Sequence, residues 1–255
     1  MRPIGVMAAM PEELDAVLGD LVVDGVDDVG GRRFHRGRLH GRDAVLVVSR
    51  CGKVAAAGTA TLLLERYGAT SIVFTGLAGG AAPALRIGDI VVADRLVQHD
   101  LDARPLFPRY EVPLLGMSVF GAAAALAASA VRAAEGFAAV AVSQLGAVAD
   151  ELGLGTPRVH RGLIASGDQF FASAEAIALL RERLPDVLCV EMEGAAVAQV
   201  CHEYGAPVCV IRTISDTADH AAHLDFPRFL SRVCGVYAKA LIEGTLGGGA
   251  DEVRR

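Results

Sequence analysis

Short apolar runs alternate along the chain with longer stretches of helical composition. Residues 4–9 are apolar and read as a buried strand. Pro11 follows at a first-turn position, with Glu12 and Glu13 beside it, where carboxylates suit the positive end of a helix. Residues 35–39 and 44–49 read as a hairpin around Gly41 and Arg42. Residues 53–67 predict a helix ended by Gly68, and residues 71–75 a strand running into a glycine-rich turn at 76–80. Further strands are expected at 89–98, 163–166, 187–191 and 208–214. Helices are expected over the alanine-rich stretch 117–151 and at 174–184, 194–204 and 226–246. This alternation predicts the α/β class: a single three-layer domain over residues 1–246, with a mixed central β-sheet flanked by helices. The tail 247–255, glycine-rich and then charged, is expected to fray.

Composition narrows the function classes. With 255 residues, 53% hydrophobic and 21% charged, the chain is long enough for a full core and too apolar for disorder. A formal net charge of −6 argues against nucleic acid as the main partner. The run 114–131 is nearly uncharged but mostly alanine, and it reads as a helix of a soluble protein, not a membrane span. The five cysteines, Cys51, Cys189, Cys201, Cys209 and Cys234, lack metal spacing and read mostly as small buried hydrophobes in a reducing, cytoplasmic compartment. The seven histidines show no ligand spacing, and Asp219-His220 reads as a solvated turn.

Four segments place polar residues at strand ends, where α/β folds bind ligands. Met10-Pro11-Glu12-Glu13 puts two acids at a strand-to-helix junction, with solvated helix-start acids as the plainer alternative. Residues 75–80, Thr-Gly-Leu-Ala-Gly-Gly, match neither a dinucleotide fingerprint nor a P-loop. Glu191-Met192-Glu193 sets two acids among apolar neighbours, and a buried acid needs a partner or a task. Asp216 ends the polar stretch Arg212-Thr213-Ile214-Ser215-Asp216, as a turn cap or as a general acid. Three acids from distant segments meeting at one end of a sheet suit glycoside cleavage.

Residues 162–170 (Gly-Leu-Ile-Ala-Ser-Gly-Asp-Gln-Phe), 190–200 (Val-Glu-Met-Glu-Gly-Ala-Ala-Val-Ala-Gln-Val) and 211–219 (Ile-Arg-Thr-Ile-Ser-Asp-Thr-Ala-Asp) resemble the 5′-methylthioadenosine/S-adenosylhomocysteine nucleosidases of the nucleoside phosphorylase/hydrolase superfamily. The N-terminal Ile-Gly-Val-Met-Ala-Ala-Met-Pro-Glu-Glu, Cys-Gly-Lys-Val-Ala-Ala-Ala and Thr-Gly-Leu-Ala-Gly-Gly fit the same pattern in the same order, over about residues 4–230. The resemblance implies a nucleoside phosphorylase-like fold and hydrolysis of the bond between adenine and a 5′-thioribose. It assigns Asp216 as the general acid at purine N7, Glu13 as the carboxylate that activates water, and Glu193 as the holder of the ribose hydroxyls. Met192 would pack on the sugar, Phe170 would stack on the purine, and the backbone of Phe171 would bond the base edge. Gly79, Met10 and Phe226 would line the site. It also implies a homodimer without metal or cofactor, in which residues 99–113 complete a neighbouring site. Of the histidines, His99 opens that loop.

Two segments depart from the family pattern. Leu77 stands where many members carry serine, and residues 102–110 differ, which bears on the 5′ group accepted. A hydrolase of a related nucleoside such as aminodeoxyfutalosine, a nucleoside phosphorylase and a non-catalytic nucleoside-binding protein are the other readings. A phosphorylase needs cations for its phosphate, and the N-terminal junction offers acids instead.

Overall fold

A computed structural model describes residues 2–217 and 222–247, those at 222–224 by backbone only. The expected tail beyond residue 247 and the expected turn at Asp219-His220 lie outside the described residues.

The chain begins with β1 (Ile4–Ala8), every residue of which is buried, and α1 (Pro11–Leu18). Three antiparallel-linked strands come next: β2 (Val22–Val29), β3 (Arg32–Leu39) and β4 (Arg42–Val48). Then come α2 (Lys53–Glu65), β5 (Ile72–Gly80), β6 (Ile90–Gln98) and β7 (Val119–Gly121). Three helices precede the next strand: α3 (Ala124–Ala138), α4 (Ala141–Leu145) and α5 (Ala147–Leu152). The second half runs β8 (Val159–Ser166), α6 (Ala174–Arg183), β9 (Val187–Glu191), α7 (Gly194–Glu203), β10 (Val208–Asp216), α8 (Ala222–Arg232) and α9 (Cys234–Gly247).

Among the described residues, ten strands join one mixed sheet. Its order is β10-β6-β8-β9-β5-β1-β4-β3-β2, with β7 paired to β6. β10 also pairs in parallel with β5, so β5, β10, β6, β8 and β9 close into a ring. One apolar core packs α1, α3 and α9 on one face of the sheet, and a second packs α2 and α7 on the other. These are the three layers expected from the alternating pattern.

Four local expectations give way to the structure. Residues 117–151 are not one helix: β7 pairs with the edge of β6, and Gly146 at φ +55° separates α4 from α5. Alanine propensity does not register an open sheet edge that needs partners. The closing helix expected at 226–246 is two helices, divided at Val233. β2 was hidden by its Asp and Gly residues; it is an edge strand with an irregularity between Val23 and Gly25. The glycine run 76–80 is not a turn but the second half of β5, paired with β10 and β9.

Candidate active site

The strands of the ring end at a cleft with about 550 Å³ of empty space, part of it open to solvent. Glu13, Glu193 and Asp216 all line it, and so do Met10, Gly79, Phe170, Phe171, Met192 and Phe226. Nine residues from six separate segments therefore meet in one place. Cys51, Leu77, Gln169, Glu191 and Ser215 share the lining.

Glu13 sits in the first turn of α1, but its side chain turns inward and is only 4% exposed, unlike solvated Glu12. One carboxylate oxygen accepts the backbone N–H groups of Ala9 and Met10, at 2.8 and 2.9 Å. The other accepts the N–H of Leu77 at 3.1 Å. Burial raises the Glu13 pKa above its ordinary value, against the opposing pull of Arg212 and these three amides. The result is an oriented carboxylate with more affinity for a proton than a surface glutamate. Leu77 joins this arrangement through its backbone.

Asp216 is the last residue of β10 and is 2% exposed. A register shift between Ile214 and Asp216 sets Asp216 opposite Gly79 of β5. Ser215 donates to the Asp216 carboxylate at 2.7 Å. The bulge thus re-aims the strand end, a common device beside functional sites.

Glu193 occupies the N-cap position of α7 and accepts the N–H of Gly52 at 2.8 Å. Burial, followed by the nearby Glu191 charge, pushes its pKa up to about 8, although Arg212 opposes this. The folded protein holds this proton more tightly than the unfolded chain does. The stabilisation is therefore full below the ordinary value of 4.5 and lost as pH rises towards about 8. Thermal unfolding should show a midpoint that declines by several degrees across this window, with Glu193→Gln flattening that decline. Equal slopes in both proteins would refute the assignment.

Glu191, two residues earlier, does not act as a second free acid. Arg212 grips one of its oxygens from Nη2 at 2.6 Å and Nε at 3.2 Å. The Gly194 N–H and the Ser166 hydroxyl also donate to it. Arg212 is fully buried, with its guanidinium 4.2 Å from the Phe74 ring centroid. Its positive charge lies behind the cleft wall among Glu191, Glu193 and Glu13. Sequence reasoning placed Arg212 beside the site but gave it no partner, because nothing local joins it to Glu191.

An aromatic wall closes one side. Phe170 is 51% exposed, and its ring meets Phe226 edge-on at 5.7 Å between centroids. Behind it, Phe171 meets His99 edge-on at 5.2 Å, and burial lowers the His99 pKa. Four cysteines are buried as expected; Cys51 is the correction, exposed at the cleft because the α2 entry loop lies on the surface. Among the described lining residues there are four carboxylates and no arginine, lysine or histidine. Such a cleft suits a neutral ligand that develops positive charge and repels an anion.

The family model of the phosphorylase superfamily matches residues 3–244. The chain is similar to the 5′-methylthioadenosine/S-adenosylhomocysteine nucleosidase of Neisseria meningitidis, solved in complex with methylthio-immucillin-A. Identity is 30%, coverage 97% of this chain and 100% of that one, and the TM-score 0.86. The nucleosidase of Colwellia psychrerythraea 34H, solved in complex with adenine, is 32% identical over 96% of this chain and 95% of that one, with a TM-score of 0.85. The futalosine hydrolase of Helicobacter pylori strain 26695 is 33% identical over 97% and 98%, with a TM-score of 0.82.

Proposed function

We propose a hydrolytic function on one premise: the chain belongs to the 5′-methylthioadenosine/S-adenosylhomocysteine nucleosidase family of the phosphorylase superfamily. The enzyme hydrolyses the N-glycosidic bond of 5′-methylthioadenosine and S-adenosylhomocysteine, releasing adenine and a 5′-thioribose. The observation that supports hydrolysis, rather than phosphorolysis, is that among the described lining residues the acids have no basic side chain beside them. Phosphate as nucleophile needs cations at hydrogen-bonding distance. The nearby cations are engaged elsewhere: Lys53 pairs with Asp100 at 2.6 Å, and Arg50 donates to Gly31 at 2.6 Å.

In this reading the C1′–N9 bond breaks with its electron pair moving onto the purine. Asp216 delivers a proton to N7, so adenine leaves neutral. Ribose C1′ gains oxocarbenium character, which the surrounding carboxylates stabilise. Water attacks C1′ while Glu13 takes its proton. Glu193 holds the ribose hydroxyls, Met192 packs on the sugar, and Phe170 stacks on the base. Met10, Gly79, Phe171 and Phe226 complete the walls.

The enzyme would act as a cytoplasmic homodimer in methionine salvage, with residues 99–113 reaching a neighbouring site. Leu106, 83% exposed on that loop, suits burial by a second copy. Among the described residues no helix is long and apolar enough to cross a membrane.

Adenine release from methylthioadenosine with and without phosphate tests the proposal. Equal rates and a free methylthioribose product are expected; a ribose 1-phosphate product would move the chain to the phosphorylases. Aminodeoxyfutalosine, run as a second substrate, discriminates the alternative raised by the futalosine hydrolase likeness.

A further inference from the structure

The entrance of α2 has the wrong charge for a helix start. Its first residue is Lys53, and its first turn holds no acid, although a cation at a helix N-terminus is unfavourable. Two distant acids supply what the helix lacks. Glu193 accepts the Gly52 N–H, and Asp168 accepts the Lys53 N–H at 2.8 Å. Gly52, at φ +95°, permits that approach: a Cβ there would lie 3.2 Å from the Asp168 carboxylate.

Asp100 bolts this junction from a third direction. One of its oxygens accepts the Lys53 ammonium at 2.6 Å, and the other accepts the Asp168 N–H at 2.9 Å. The Lys53 and Asp100 side chains are mostly buried, at 16% and 22% exposure, so the pair is less screened than a surface bridge. Partial burial pushes the Asp100 carboxyl up, but Lys53 and the Asp168 amide outweigh it and hold it below its usual value. None of Lys53, Asp100 and Asp168 lines the cleft. Residues close to them in the chain do: Cys51 lies two residues before Lys53, and Gln169, Phe170 and Phe171 follow Asp168. The segment from Gly167 to Ser173 contains no helix or strand that would hold it by itself.

We infer that Asp100 is a positioning residue, which through Lys53 and Asp168 fixes the segment carrying Phe170 and Phe171 against the α2 entrance and so sets substrate affinity. The inference rests on the nucleosidase reading for its kinetic consequence, though not for its structural one. Hydrogen bonds to a charged group of this kind correspond to a change of about tenfold.

The test compares wild type with Asp100→Ala, Asp100→Asn and Lys53→Met in steady-state hydrolysis of methylthioadenosine, thermal unfolding and amide hydrogen exchange. Asp100→Ala should raise KM about tenfold with kcat little changed, because the acids that do the chemistry stay in place. Amide exchange should accelerate at residues 168–171 only. Asp100→Asn, which keeps an acceptor for the Asp168 N–H, should recover part of the KM, and Lys53→Met should resemble Asp100→Ala. An unchanged KM would overturn the inference, as would exchange that quickens over the whole chain together with a lower unfolding temperature. Should the wild type itself release no adenine, the nucleosidase reading fails separately. Exchange still decides the clamp in that case: local acceleration supports it, and its absence overturns it.

Discussion

Asp216→Asn should lower the turnover of methylthioadenosine by about 10²–10⁴ while leaving the fold intact, since this is the range a positioned general acid contributes. Adenine is a poor leaving group as an anion, so loss of the proton donor falls on the bond-breaking step. The replacement is nearly isosteric. Its amide oxygen can still accept the Ser215 hydroxyl, which now meets the carboxylate at 2.7 Å. The β10–β5 pairing that places residue 216 opposite Gly79 does not depend on the side chain. The unfolding midpoint should therefore move little, and KM should change far less than kcat, the signature of an interaction made mainly in the transition state. Steady-state adenine release together with a thermal melt reads both quantities. Wild-type turnover in the asparagine variant would remove Asp216 from the chemistry.

Arg212→Met should be the most destabilising single change near the cleft, by about 3–5 kcal/mol, the usual result of stripping one partner from a buried ion pair. Methionine fills much of the volume but leaves Glu191 buried without its charged partner and removes the positive charge that Glu13 and Glu193 also feel. Contact with the Phe74 ring changes from a cation over a π face to a thioether. For a chain of this size each kcal/mol lowers the unfolding midpoint by about 2–4 °C. The loss also has a pH signature. Arg212 opposes the raised proton affinity of Glu13 and Glu193; without it these two carboxyls hold their protons still more strongly in the folded state, so the deficit grows as pH rises from acid to alkaline. Urea unfolding of both proteins at pH 5 and pH 8 measures it. A deficit equal at both pH values would mean that Arg212 matters for shape and not for charge.

Legibility in the sequence tracks the range of the forces involved. β1 and the first half of β10 announce themselves because burial on both faces demands an apolar run. The acids at 13, 193 and 216 stood out because each interrupts or ends such a run. Their convergence depends on strand order, which pattern alone only suggests. Edge elements were hard to read. β2 mixes valine with Asp and Gly, which are turn formers, and its strand character comes from β3 beside it. β7 has three residues and exists because β6 offers it hydrogen bonds. The Glu191–Arg212 pair and the Asp100–Lys53–Asp168 cluster join residues far apart in the chain, so no spacing signals them. The solvated reading of Glu12 and Glu13 proved right for one and wrong for the other. A helix start accepts both, and only the tertiary fold chooses which is turned inward.

Gly76 shows how far that tertiary choice reaches. It lies mid-strand in β5, where a β-branched residue would ordinarily stabilise the sheet. A methyl group at this position would stand 3.1 Å from the Glu13 carboxylate and 3.3 Å from the Arg212 guanidinium. Glycine here is the spacer that lets a buried acid and a buried guanidinium both lie close over one face of the strand. Replacing a strand glycine, a common route to greater thermal robustness, is closed at this position because an added methyl would crowd the Glu13 carboxylate and the Arg212 guanidinium. A position in the middle strand of the sheet is thus closed to one route towards stability.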